Sequence, residues 1–151
     1  MFVSIGGKWM YLWRAVDAEG EVLDCLVQSR TRAAKKLMRQ LLKKQGFPPS
    51  HLITDHLRSY PAAFQELGLT AVHLRGKRMN NRAESSHVPI RRRERKMQGF
   101  KSAKSAQRFL SAHAPIYNTF NTCRHLISAA NHRTFRREAM TMWREAARVA
   151  A

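Results

Sequence analysis

One carboxylate and a dense group of cationic side chains lie close together in the middle of the chain. Residues 80–87 read Asn-Asn-Arg-Ala-Glu-Ser-Ser-His, so Glu84 and His87 are about one helical turn apart. A carboxylate oxygen is the kind of ligand that Mg²⁺ prefers, and arginine binds phosphate. The pattern therefore indicates nuclease-like chemistry on a phosphate ester. Basic residues follow Glu84 closely, at Arg91, Arg92, Arg93, Arg95 and Lys96.

Asp55 is a second candidate carboxylate. It directly follows the short apolar run from His51 to Thr54, which reads as a β-strand. Active sites of open α/β sheets lie at the carboxyl ends of parallel strands, and Asp55 would lie at such an end. Simpler roles stay open at this point, because Asp55 could cap the helix that follows and Glu84 could pair with Arg82 or His87.

The chain carries a large excess of positive charge. Of its 151 residues, 28 are Lys or Arg and 10 are Asp or Glu, which gives a formal net charge of +18. Residues 75–108 hold twelve basic and two acidic residues, a local net charge of +10. Such dense like charges repel one another unless a polyanion neutralises them, so the composition favours a nucleic-acid partner. A basic RNA-binding protein of the ribosomal kind fits the same charge and length.

Cysteine spacing and hydropathy argue against a zinc-binding protein, a membrane protein and a secreted protein. Cys25 and Cys123 are far apart and lack the spacing of a zinc site, so we expect buried thiols in a reducing cytosol. No apolar run approaches the roughly 18 residues of a membrane span. Residues 1–8 are broken by two glycines and do not resemble a signal peptide. We therefore expect no membrane partner.

The spacing of apolar residues predicts an α/β domain. Strands are predicted over residues 2–5, 9–16 and 22–27 as an antiparallel meander, then over 51–54 and 72–74. Helices are predicted from a cap at Thr31 to Gly46, over 59–67, and around Glu84, where Pro89 should bend the chain. This order predicts a mixed sheet flanked by helices. Ser102 and Thr134 should cap two C-terminal helices, so residues 1–100 form the main domain and 101–151 pack on it.

Several segments together resemble one family. Residues 13–17 (Trp-Arg-Ala-Val-Asp), 54–60 (Thr-Asp-His-Leu-Arg-Ser-Tyr), 80–87 and 99–102 (Gly-Phe-Lys-Ser) are similar to DDE-type transposases of the insertion-sequence-six family. The resemblance extends from residue 2 to about residue 125. It implies a ribonuclease H-like fold and a catalytic domain that cleaves transposon DNA ends and joins them to target DNA.

The same resemblance implies site residues and partners. It makes Asp55 the second and Glu84 the third carboxylate of a catalytic, metal-binding triad that holds two Mg²⁺ or Mn²⁺ ions. It also implies a bacterial cytoplasmic protein located at the nucleoid, acting as a homo-oligomer or co-assembled with full-length transposase. The DNA-binding residues predicted from the basic cluster are Arg78, Arg82, His87, Arg91, Arg92, Arg93, Arg95, Lys96 and Lys101.

The chain departs from the family pattern at its beginning. The family's first catalytic Asp lies on the first strand, ahead of the region equivalent to residues 2–5, and no carboxylate precedes Asp17 here. We therefore expect a truncated catalytic domain that is inactive as written, because two carboxylates do not assemble a pair of ions. The alternative is a non-catalytic DNA-binding remnant or an inhibitor of intact transposase.

Overall fold

The computed structural model describes residues 1–29, 33–76, 79–121 and 127–149. The predicted cap at Thr31 lies outside these residues. Three strands come first, helices and single strands then alternate, and helices follow, in the order predicted. In chain order the elements are β1 (Phe2–Ile5), β2 (Lys8–Val16), β3 (Val22–Gln28), α1 (Ala33–Gln45), β4 (His51–Thr54), α2 (Ser59–Glu66), β5 (Val72–Arg75), α3 (Asn81–Lys96), α4 (Ala103–Phe120) and α5 (Ala129–Val149).

The chain divides into two compact units, Met1–Ala114 and Pro115–Ala151. The first unit contains all five strands. The second contains α5, on which Trp143 packs edge-to-face against Phe120. The division into domains after residue 100 stays a prediction.

Strands β1, β2 and β3 form the predicted antiparallel meander. Gly6 and Gly7 connect β1 to β2, and both have a positive φ, of 56° and 75°. A two-residue hairpin loop of this kind requires left-handed backbone at both positions, which glycine adopts without a steric cost. The register pairs Ile5 with Lys8, and this pairing continues to Phe2 and Tyr11.

Strands β4 and β5 form a separate parallel pair, joined through α2. The prediction of one mixed sheet therefore differs from the structure, whose described residues form two small sheets and are α/β in the coarser sense. Strand β1 is only four residues long, and its outer edge makes a single parallel bridge, from Ile5 to Phe100. Within the described residues, that edge does not pair with β4.

The three-stranded sheet has helices on both of its faces. Successive side chains of a strand point to opposite faces, so Trp13 and its neighbour Leu12 face different layers. Trp13 packs with the apolar sides of α1 and α2, including Leu37 and Phe64. On another face, Val3 and Ile5 pack with Phe100 and Ala106, while α3 packs against β2. These layers hold β2 and α3 in fixed positions around the candidate site.

The starts of α4 and α5 test two local predictions. Ser102 caps α4, because its hydroxyl accepts the Ser105 N–H at 3.1 Å, and the Ser105 hydroxyl accepts the Ser102 N–H in return. The predicted cap at Thr134 is wrong, since Thr134 lies inside α5 and its hydroxyl donates to the Ala130 carbonyl. Ser128 takes the capping role and accepts the Asn131 N–H. Helix α3 continues through Pro89 to Lys96.

None of the helices in the described ranges is both long enough and apolar enough to cross a membrane.

Candidate active site and nucleic-acid interface

A cavity of about 1110 Å³ in the first unit receives both candidate carboxylates. Its walls come from β2, α1, β4 and α3. Asp55 enters from the end of β4, and Glu84 from the first turn of α3. The two side chains are separated by 28 intervening residues in sequence, so the fold brings them to one cavity. Both carboxylates are therefore candidate ligands of a single site.

Hydrogen bonds fix the backbone and the side chain of Asp55. Its Oδ1 atom accepts the Leu57 N–H at 3.1 Å, which shapes the turn between β4 and α2. Its carbonyl oxygen accepts the Thr54 hydroxyl at 3.0 Å. The alternative in which Asp55 caps α2 is wrong, because the residue at the cap position is Arg58, which makes no side-chain cap bond.

Glu84 is exposed on the first turn of α3. A negative charge there is favoured by the partial positive charge of the helix N-terminus. The charge-pair alternative finds no support in the described part of the chain, where the ion pairs are Lys35–Glu66 and Lys44–Asp24. Glu84 is therefore not held in an ion pair with Arg82 or His87.

The donor set of the cavity fits one hard cation better than two. Asp55 and Glu84 offer carboxylate oxygens, which suit Mg²⁺ or Mn²⁺. Among residues 1–29, 33–76, 79–121 and 127–149, no group of three or more His, Cys, Asp or Glu side chains is arranged to hold a metal ion. One ion could use the two carboxylates and complete its shell with water and phosphate, whereas a pair of ions needs further anionic ligands.

His87 lines the same cavity but is not a cation at neutral pH. Burial is the largest cause that lowers its pKa, to about 3, and the nearby charges of Arg14 and Arg91 add to the effect. Its Nδ1 atom is buried and has no hydrogen-bond partner within the described structure. His87 can therefore contact phosphate as a neutral N–H donor. A phosphate contact by this residue stays a prediction.

The basic residues of α3 extend the site outward. Glu84, His87, Arg91 and Arg95 are spaced three or four residues apart, so they share one face of the helix. All four line the cavity, and the exposed arginines thus lie next to the carboxylates. Of the other predicted DNA-binding residues, Arg82 and Arg92 also line it, Arg93, Lys96 and Lys101 are exposed outside its lining, and Arg78 lies outside the described residues.

The sequence predictions missed Arg14, which is only 7% exposed on β2 and lines the cavity. Its positive charge lowers the pKa values of His87 and His113, after the larger effect of burial on each. The alternation of β2 gives a signal in retrospect, because Arg14 has the same parity as the fully buried Leu12. The predictions also missed Thr54 and His73, whose side chains are hydrogen-bonded to each other beside Asp55.

Comparison with known proteins shows that the chain is similar to transposases. A family model for a DDE domain, of the IS240 transposase type, matches residues 1–122. The chain is 30% identical over 124 residues to transposases of the insertion-sequence-like element IS431mec from several Staphylococcus aureus strains, and equally to that of IS257 in transposon Tn4003. These alignments cover 77% of the chain and 54% of each relative, so the chain spans about half their length. No solved structure matches.

Proposed function

The chain belongs to the DDE domain family of insertion-sequence transposases, and from that premise we propose that it forms the catalytic domain for cleavage and strand transfer of transposon DNA. The observation that carries this proposal is the shared cavity of Asp55 and Glu84, bordered by Arg91 and Arg95. Carboxylates that bind metal beside arginines that bind phosphate are what phosphodiester chemistry requires. The fold that we infer is ribonuclease H-like.

In this proposal Asp55 and Glu84 are the second and third acidic residues of the triad and bind Mg²⁺ or Mn²⁺. A divalent ion bound there would activate the attacking oxygen and neutralise charge on the phosphate. The protein's own contribution is to hold both carboxylates at one cavity, through the β4–α2 turn and the first turn of α3. The family's two-ion arrangement needs a third carboxylate. Asp17 also lines the cavity, but among the described residues no group of three or more His, Cys, Asp or Glu side chains is arranged to hold a metal ion.

DNA is the proposed partner, both as transposon end and as target. The exposed arginines Arg82, Arg91, Arg92, Arg93 and Arg95 would neutralise phosphates, with Lys96 and Lys101 extending the surface. Self-association or co-assembly with full-length transposase, and a bacterial nucleoid location, belong to the same proposal.

A second candidate function is DNA binding without catalysis, as a remnant or an inhibitor of intact transposase. The exposed arginines of α3 favour it, since they can bind phosphate whether or not a metal ion is bound.

A nicking assay on supercoiled DNA with Mn²⁺ separates these functions. Nicking that Asp55→Asn and Glu84→Gln both abolish, with DNA affinity retained, supports the catalytic proposal and contradicts the expectation that the chain is inactive as written. Tight DNA binding with no nicking in any form supports the second candidate. Preferential binding of structured RNA over duplex DNA at equal salt contradicts both and favours a basic RNA-binding protein.

A further inference from the structure

A chain of hydrogen bonds runs from β5 to the backbone of Asp55. The Nε2 atom of His73 lies 2.8 Å from the hydroxyl oxygen of Thr54. The same hydroxyl lies 3.0 Å from the carbonyl oxygen of Asp55. Thr54 is only 5% exposed, so these contacts are largely shielded from competing water.

The direction of each bond follows from proton counting. The Asp55 carbonyl can only accept, so the single proton of the Thr54 hydroxyl is donated to it. The hydroxyl must then accept from His73, which requires a proton on the Nε2 atom of the imidazole. The arrangement therefore selects one tautomer of His73, with Nε2–H donating to Thr54 and Thr54 donating to Asp55.

The His73 ring is held in place by neighbouring elements. It stacks on the Phe64 ring of α2, with ring centroids 4.5 Å apart and planes inclined by 11°. Phe64 is itself buried among the residues of α1 and α2. On the strand side, the parallel register pairs His73 with Leu52 of β4. The His73 imidazole is thus fixed by contacts from α2 and β4.

These contacts lead to Asp55, the residue that directly follows β4. Its backbone carbonyl is tied to Thr54, and its Oδ1 atom is tied to the Leu57 N–H. The direction of the Asp55 side chain into the cavity depends on the backbone at this residue, because the torsions on either side of Cα set where Cβ points.

We propose that His73 and Thr54 are positioning residues that set the orientation of the Asp55 carboxylate toward the cavity. The inference rests on the proposed function in one respect, that Asp55 binds a divalent ion. Partners behind a metal-binding carboxylate orient it, and their loss typically costs about 10–100-fold in metal affinity.

Four variants test the proposal, in two matched pairs. Thr54→Val keeps the shape of the side chain and removes the hydroxyl, whereas Thr54→Ser keeps the hydroxyl. His73→Phe keeps an aromatic ring against Phe64 and removes the N–H, whereas His73→Gln keeps an N–H donor. Mn²⁺ affinity, measured by electron paramagnetic resonance, should fall about tenfold or more in the Val and Phe variants and recover in the Ser and Gln variants.

A metal-free measurement on the wild-type protein checks the chain of bonds itself. Nitrogen-15 NMR of the His73 imidazole should show the Nε2–H tautomer with a slowly exchanging proton. The Leu57 amide signal should shift in Thr54→Val and stay near its wild-type position in Thr54→Ser, since Asp55 moves only in the former.

The outcomes separate this proposal from the proposed function. If Asp55→Asn leaves Mn²⁺ affinity unchanged, the metal role of Asp55 fails, while the NMR results still decide whether the positioning chain exists. If Asp55→Asn abolishes Mn²⁺ binding but folded Thr54→Val and His73→Phe bind as the wild type does, the positioning role is overturned. An Nδ1–H tautomer of His73 in the wild type also overturns it.

Discussion

At the scale of single residues, the two carboxylates differ in how firmly they are held. Asp55 accepts a backbone N–H and follows a buried threonine, whereas Glu84 is exposed on the first turn of a helix. A long exposed side chain loses more conformational entropy when it binds an ion than a short fixed one does. We therefore expect Asp55 to contribute a prearranged ligand and Glu84 to adapt to the ion.

Divalent metal should stabilise the fold through these two residues. At about ten times its Kd, a ligand that binds only the folded state adds about 1.4 kcal/mol to the free energy of unfolding. Asp55→Asn and Glu84→Gln should each remove this Mg²⁺- or Mn²⁺-dependent gain, measured by thermal unfolding with and without metal. Asparagine retains an oxygen that can accept the Leu57 N–H, so the turn should survive. Glu19→Gln, at an exposed residue outside the cavity lining, is the matched control and should respond to metal as the wild type does. An equal metal response in all four proteins would contradict the site.

The half-buried imidazole of His87 should make the free energy of unfolding depend on pH. Its pKa in the folded state is about 3, below the ordinary 6.5, because burial disfavours the charged form. Between these two values the unfolded chain binds a proton that the folded chain does not, so unfolding becomes more favourable as the pH falls. The free energy of unfolding should decrease from about pH 6.5 towards pH 3, and His87→Gln should flatten this decrease. Denaturant titrations at several pH values measure it, and an unchanged pH profile in the variant would show that His87 titrates normally.

At the scale of elements, α4 protects the open edge of the three-stranded sheet. The Gln107 side chain accepts the Val27 N–H at 2.8 Å and donates to the Cys25 carbonyl at 2.9 Å. Strand β3 is at the edge of the sheet, where unpaired backbone groups invite association with other strands. The Gln107 amide thus forms hydrogen bonds with Cys25 and Val27 of the kind that a neighbouring strand would form.

Removing this amide should destabilise the first unit. Gln107→Ala leaves two half-buried backbone groups without their present partner, which should cost about 1–3 kcal/mol in the free energy of unfolding. Gln107→Glu keeps an oxygen that accepts the Val27 N–H, but it places a carboxylate oxygen against the Cys25 carbonyl oxygen. It should therefore recover only part of the stability that Gln107→Ala loses. Ser111→Ala, at an exposed position of the same helix, should have little effect. Chemical denaturation compares the three variants. A loss in Ser111→Ala as large as that in Gln107→Ala would mean that the amide is unimportant.

Local patterns predicted the elements better than their assembly. The helix predicted from apolar spacing is confirmed over residues 33–45, and the predicted antiparallel meander of residues 2–27 is confirmed as well. The contact of Gln107 with β3 joins residues 80 apart, and nothing in the local sequence indicates it. Thr134 failed as a cap because Ser128, six residues earlier, starts the helix first. The described strands pair in two small sheets rather than in the predicted single mixed sheet, because strand pairing depends on long-range partners that periodicity does not specify.

The candidate site shows the same limits. The motif residues Asp55 and Glu84 were predicted from their types and surroundings, and the structure places both at one cavity. Arg14 and His73 were missed because a buried arginine and a strand histidine have no distinctive local spacing. Their positions near the candidate carboxylates depend on long-range packing, which local spacing does not specify.

At the scale of the whole molecule, the net charge of +18 should give DNA binding that is tolerant of sequence and sensitive to salt. Long-range attraction depends on total charge, whereas direct phosphate contacts depend on where the cations lie. The three adjacent arginines of α3, Arg91, Arg92 and Arg93, are all exposed, and two of them line the cavity beside the carboxylates. The effect of total charge on DNA binding can therefore be distinguished from the effect of arginine position by removing three arginines either from α3 or from another helix.

Replacing Arg91, Arg92 and Arg93 together by Ala should flatten the dependence of duplex affinity on salt. Each phosphate contact that is lost reduces the slope of log K against log salt concentration by about 0.9. The matched control replaces Arg133, Arg136 and Arg137, three exposed arginines of α5, and removes the same total charge. Fluorescence anisotropy over a series of salt concentrations should show a slope reduced by about 2–3 for the α3 variant and by less for the control. Equal slopes in the two variants would mean that total charge alone attracts DNA. If the wild-type protein does not bind duplex DNA even at low salt, the basic cluster of α3 is not a DNA surface.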